Sequence, residues 1–185
     1  MGWAMGGLEA VCQEVFVGFG SNVGGPVARV REAVGRLAHL PRIKVIRVSS
    51  LYRTEPVGLE EQDWFVNGVA RLESGLSPRE LMRGLLSVER AMGRTRMIPG
   101  GPRVIDLDLL LFGDLVMGEA DLWIPHPRLH ERRFVLVPMC EVAPHVLHPV
   151  LKKEMADILK DLEDNKSVQF LEPWGDDPCG FVGQS

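Results

Sequence analysis

The sequence has only three cysteines, Cys12, Cys140 and Cys179, widely separated and without metal-type spacing. This rules out a disulfide scaffold or a cysteine-ligated zinc site and fits reduced thiols in a cytosol. No apolar run reaches the roughly 18 residues of a membrane helix. The first fourteen residues lack both the basic start and the apolar segment of an export signal. A cytoplasmic protein is therefore expected. Bulk charge of one sign is also missing: 21 basic against 25 acidic side chains leave a net charge of −4. A general nucleic-acid or anionic-membrane surface is excluded on that ground. A local arginine cluster in such a chain points to a discrete anionic ligand.

What is present is enough for one domain: 185 residues, 45% of them hydrophobic. The domain is expected over residues 15–171, with an N-terminal extension at 1–14, a C-terminal tail at 172–185 and a monomeric state. Its most informative stretch runs from Gly93 to Gly113. Arg94, Arg96 and Arg103 lie in a Gly/Pro-rich loop, followed by Asp106 and Asp108 inside an apolar strand. A strand alternates faces, so the two aspartates point one way while Ile105, Leu107, Leu109 and Leu111 point the other. Two carboxylates on one face repel unless a cation lies between them, and neighbouring arginines suit a polyphosphate.

Taken in order, Val15 to Phe19 reads as a first strand that turns at Gly20-Ser21-Asn22, a turn read here as geometry rather than as a phosphate loop. A helix follows over about 26–39, started by Pro26. Ile43 to Tyr52 is a second strand, with Val45, Arg47, Ser49 and Leu51 on one side. Trp64 to Glu73 is a third, with Val66, Gly68, Ala70 and Leu72 facing the core. Phe65 and Asn67 share its opposite face, a ring and an amide able to stack on a flat heterocycle and bond to its edge. Ser77-Pro78-Arg79-Glu80 starts a second helix with a capping box; Leu81, Leu85, Val88 and Met92 form its stripe, Glu89 borders the stripe, and Gly93 ends it.

Beyond the aspartates, His126, His130, Arg128, Arg132 and Arg133 lie among prolines in a basic loop. His145 and His148 are read as structural. Val150 to Leu162 is expected as an amphipathic helix with Leu151, Met155, Ile158, Leu159 and Leu162 inside, and Val168 to Leu171 as a closing strand. The order gives an α+β fold, a ferredoxin-like split βαβ sandwich with both helices on one sheet face and the site on the other.

Several ordered motifs closely resemble the 6-hydroxymethyl-7,8-dihydropterin pyrophosphokinase family. They are Phe19-Gly20-Ser21-Asn22, Ser50-Leu51-Tyr52-Arg53-Thr54, Phe65-Val66-Asn67, Gly93-Arg94-Thr95-Arg96, Gly101 through Asp108, and Pro125-His126-Pro127-Arg128. The resemblance spans about residues 15–171. It implies an ATP-dependent transfer of pyrophosphate to the pterin hydroxymethyl group in folate biosynthesis, with release of AMP. It further implies two Mg²⁺ ions on Asp106 and Asp108, with Arg94 and Arg103 as the main catalytic arginines. Arg96, His126, Arg132 and Glu89 are assigned by it to the ATP side. Thr54, Val57, Phe65, Asn67 and Phe134 are assigned to the pterin. Small-molecule substrates, rather than nucleic acid or membrane, follow as partners. The chain departs from the family pattern at Met97-Ile98-Pro99-Gly100, which lacks the usual further Arg and Trp, at Pro127 and at Leu86. Without the resemblance, the paired aspartates would equally suit a nucleotidyl or sugar transferase, and the fold a binding module.

Overall fold

Apolar residues on both faces of β1 (Gln13–Ser21) put that strand at the centre of the sheet, with every residue from Val15 to Ser21 buried. The computed structural model describes residues 12–59, 61–94 and 101–175. Residues 1–11, Arg96 with Met97–Gly100, Cys179 and the tail from residue 176, all subjects of expectations above, lie outside the described residues. After β1 come α1 (Pro26–Ala38), β2 (Ile43–Val48), β3 (Leu51–Thr54), β4 (Phe65–Ser74), α2 (Pro78–Ala91) and β5 (Asp106–Phe112). A hairpin of β6 (Met117–Glu119) and β7 (Leu122–Ile124), a 3₁₀ turn at Leu129–Glu131, α3 (Arg133–Val142), α4 (Met155–Asp161) and β8 (Val168–Glu172) complete the chain.

The sheet order is β5-β1-β4-β3-β8, with β2 also paired to β4. With α1 and α2 as its two crossover helices, this is the expected ferredoxin-like arrangement. Val30, Val34 and Leu37 of α1 and Leu81, Leu85 and Val88 of α2 form one core with Val17, Ala70, Leu72, Ile105 and Leu107 of the sheet. The start of α2 is fixed as its sequence dictates: Ser77 N–H donates to Glu80 Oε2 at 2.8 Å, and Glu80 N–H donates back to Ser77 Oγ. Gly93, at φ +82°, takes the left-handed turn that ends it.

The second sheet face is shared. One half packs Phe16, Val69, Leu110 and Leu111 against Leu136 and Met139 of α3 and Met155 and Ile158 of α4; the other half is left to the site. The sequence reading gave α3 no element, and Pro138 inside that helix obscures its periodicity.

Three element readings are corrected. The second strand is two strands, and core residues recur at 45, 48 and 51 because its pairing with β4 slips between Val45 and Arg47. Arg47 and Ser49 therefore do not share the side of Val45. The break falls at Ser50, whose N–H donates to both Glu141 carboxylate oxygens of α3 at 3.0 and 2.9 Å. In β5 the register shifts so that Phe16 faces Leu111 and Val17 faces Leu109. That bulge places Leu110 and Leu111 together in the second core. The late helix begins at Met155 rather than Val150. Lys152 takes φ +56° and Leu147 bridges Glu154, so the chain loops tightly and leaves Leu151 exposed.

β8 closes the sheet edge on β3, and the chain runs on to Trp174. That ring is buried beside Phe19 at a centroid distance of 5.9 Å, and the Trp174 carbonyl accepts from Arg31 at 2.9 Å. Among the described residues no helix is long and apolar enough to cross a membrane.

Candidate active site

The free half of the second face is built around two missing side chains. Gly18 and Gly20 alternate along β1 with Val17 and Phe19, which face the first core, so on the site side the central strand is bare backbone. Register supplies its neighbours: Gly20 pairs with Asn67 of β4 and Asp106 of β5, and Gly18 with Asp108. The ring-and-amide platform and the acidic pair thus flank one bare strand, two strand spacings or roughly 10 Å apart. A Cβ at Gly20 would overlap Asn67 Oδ1.

Around this floor lies a cleft of about 220 Å³, open to solvent. Thr54, Val57, Phe65, Asn67, Arg103, Asp106, Asp108, Arg132 and Phe134 all line it. These nine residues come from four stretches of the chain, 54–57, 65–67, 103–108 and 132–134. Asn67 Nδ2 donates to Thr54 Oγ1 at 2.6 Å, which fixes the amide. Thr54 and Asn67 are both buried rather than surface groups.

The carboxylates are surrounded by guanidinium groups. Arg94 Nη2 lies 2.7 Å from Asp106 Oδ1, Arg103 Nη1 is in contact with Asp106 Oδ2, and Arg132 Nη1 is 3.7 Å from Asp108 Oδ2. Arg94 also contacts Glu89, which is 2% exposed and accepts the Leu107 N–H at 2.7 Å. Burial pushes the Glu89 carboxyl above its ordinary pKa, against the opposing pull of the Leu107 N–H and Arg94. Glu89 and Arg94 stand behind Asp106 and hold it in place.

Beside Asp108, His126 Nδ1 accepts the Arg128 N–H at 3.1 Å. Its neutral ring therefore carries the proton on Nε2. Burial holds the His126 pKa below the usual value, although Asp108 pulls it up. Burial lowers that of Arg132 as well, with Arg128 and Arg103 adding like-charge repulsion against the pull of Asp108.

Two carboxylates on one face are hard oxygen donors of the kind a Mg²⁺ ion takes while keeping several waters. Among the described residues no group of three or more His, Cys, Asp or Glu is placed to hold a metal ion.

Residues 16–144 match the family described as 7,8-dihydro-6-hydroxymethylpterin-pyrophosphokinase (HPPK). The chain belongs to this family. A 2-amino-4-hydroxy-6-hydroxymethyldihydropteridine pyrophosphokinase of Synechocystis sp. is 38% identical over 152 residues, covering 82% of this chain and 77% of its own length. The folic acid synthesis protein fol1 of Schizosaccharomyces pombe is 40% identical over 147 residues, which cover 80% of this chain. The aligned part is only 20% of that protein, so the chain corresponds to one portion of it. The Plasmodium falciparum HPPK-DHPS crystal structure matches at a TM-score of 0.63 and 14% identity, over 80% of this chain and 44% of that one, a likeness of fold.

Sequence reasoning missed Gly18, Gly20, Glu55 and Arg128, which also line the cleft, and Asn22, which grips Arg103. The glycines carried a signal, since a strand that alternates Gly with Val and Phe leaves one face empty. Asn22 stood in the Phe19-Gly20-Ser21-Asn22 motif, but its partners lie in distant segments that nothing local names.

Proposed function

We infer that this chain transfers the β,γ-pyrophosphoryl unit of ATP to the hydroxymethyl oxygen of 6-hydroxymethyl-7,8-dihydropterin, giving the dihydropterin pyrophosphate and AMP in folate biosynthesis. Beyond family membership, one observation carries the reading. Gly20 is in register with both Asn67 and Asp106, so a flat acceptor held by the amide presents its hydroxymethyl arm toward the aspartates across a strand with no side chain in the way.

In this reading Phe65 and Phe134 stack on the pterin while Asn67 and the backbone from Thr54 to Val57 bond to its edge. Two Mg²⁺ ions on Asp106 and Asp108 would neutralise the triphosphate and polarise the β-phosphorus. Arg94 and Arg103, which both contact Asp106, reach the phosphate oxygens, and Arg96 joins them. Arg132 and the Nε2–H of His126 hold the nucleotide, and Glu89 keeps Arg94 in place. The hydroxymethyl oxygen gives up its proton to water and bonds to the β-phosphorus as the bond to the α,β-bridging oxygen breaks, its electron pair leaving with AMP. The work is positioning and charge neutralisation rather than covalent catalysis. The net charge of −4 argues against a general polyanion surface, and the arginines of the cleft suit a small anionic substrate; a cytoplasmic location belongs to the same reading.

The test is to mix the protein with ATP, Mg²⁺ and the reduced hydroxymethyl pterin and assay for AMP. AMP formed only when the pterin is present is expected; released pyrophosphate or a nucleoside diphosphate overturns the reading. Asp106→Ala and Asp108→Ala should each cost roughly 100-fold or more in kcat, with the thermal unfolding midpoint retained.

A further inference from the structure

Asn22 follows the end of β1 in what reads as a simple turn, yet it has more distant partners than a turn requires. It is 5% exposed. Its backbone N–H donates to the Arg103 carbonyl at 3.1 Å, and its Oδ1 accepts the Arg103 N–H at 2.8 Å. On its other side, Nδ2 donates to Gln62 Oε1 and to the Asp63 carbonyl, both at 3.0 Å. Gln62 Nε2 in turn donates to the Leu59 carbonyl at 2.7 Å, which orients that amide with its oxygen toward Asn22.

These contacts do two separable things. The ladder between β1 and β5 ends at Gly20 and Asp106, so the chain just before β5 has no strand partner there. Asn22 substitutes for one, holding Arg103 by both its N–H and its C=O. That fixes the origin of the side chain whose guanidinium reaches Asp106. The second pair of contacts holds the loop between β3 and β4 at Gln62 and Asp63, immediately before the acceptor platform at Phe65.

We propose that Asn22 is a positioning residue that ties the acceptor-side loop to Arg103, so that the pterin platform and the phosphate-binding arginine are set by one amide. The inference rests on the pyrophosphoryl-transfer reading. Small displacements matter in such a site, since about 1 Å of misplacement can cost roughly 100-fold in rate. A loss of that size in kcat is expected for Asn22→Ala, with the KM for ATP little changed. Asn22→Asp keeps an acceptor for the Arg103 N–H but sets an oxygen against the Asp63 carbonyl. It should raise the KM for the pterin while retaining more of kcat than Asn22→Ala.

The deciding experiment is the cycle of Asn22→Ala, Arg103→Ala and the double variant, with kcat and both KM values measured and folding checked by thermal unfolding. If Asn22 acts through Arg103, adding Asn22→Ala to Arg103→Ala lowers kcat less than about twofold further. Multiplying losses, or wild-type kinetics in Asn22→Ala, overturn the proposal. Should Asn22→Ala fail to fold, the same cycle with the isosteric Asn22→Asp decides, read on the pterin KM as well. Absence of AMP formation by the wild-type protein overturns the functional reading and this inference with it; wild-type turnover beside an unaffected Asn22→Ala overturns the inference alone.

Discussion

At Gly20 a hydrogen in place of a side chain leaves room for the Asn67 amide on one flank and the Asp106 carboxylate on the other. An added methyl would overlap Asn67 Oδ1 and force that amide off its bond to Thr54. Leaving a buried amide unsatisfied costs about 1 to 3 kcal/mol. Gly20→Ala is therefore expected to weaken pterin binding by roughly 10- to 100-fold, measured by calorimetry with a non-hydrolysable ATP analogue present. Unchanged pterin affinity would remove Gly20 and Asn67 from the acceptor site. The same scale explains Glu89. A carboxylate at the edge of a helical stripe usually reaches water, but this one is buried because Arg94 and the Leu107 N–H satisfy it from outside its own helix.

Elements defined by local chemistry were readable and the others were not. Ser77, Pro78 and Glu80 specify the start of α2 within four consecutive residues, and the reciprocal bonds form as that pattern requires. Ser77→Ala should cost about 1 kcal/mol of unfolding free energy, seen in denaturant titration, and leave kcat unchanged because the cap lies at the far end of the helix from Glu89. A fall in kcat matching the loss of stability would mean that the cap also sets the site. The second strand was misread because its register shift depends on β4, and its interruption at Ser50 depends on Glu141 from α3. Neither neighbour is local in sequence. Likewise α4 starts late because a bridge between Leu147 and Glu154 closes a loop that side-chain periodicity does not report.

For the whole molecule, pH couples to stability through buried histidine. His148 is buried, its Nδ1 accepts the Val150 and Leu151 N–H groups at 3.3 and 3.2 Å, and burial together with His130 holds its pKa below 6.5. The unfolded chain then takes up the proton at a higher pH than the folded one. The stability from this group is fully present above that ordinary value and is lost as pH falls below it. His126 adds an effect of the same sign. Glu89 works in the opposite direction, since its raised pKa lets the folded state bind a proton first as pH falls. Tm is expected to drop between about pH 7.5 and 5.5, with a shallower slope in His148→Asn. Parallel slopes in the two proteins would show that His148 does not carry the effect.

By itself the sequence determined the two-helix ferredoxin-like core, the acidic pair on one face of β5 and the ring-and-amide pair on one face of β4. Each follows from the period of a helix or strand, a property of near neighbours. Only the tertiary structure decided that Gly20 joins those two faces, that Arg94 and Arg103 meet at Asp106, that α3 covers half of the open face, and that Asn22 grips Arg103. Those are matters of register and of contacts between residues far apart in the chain, 81 positions for Asn22 and Arg103. They are set by how strands pair and helices dock, and no local pattern encodes them.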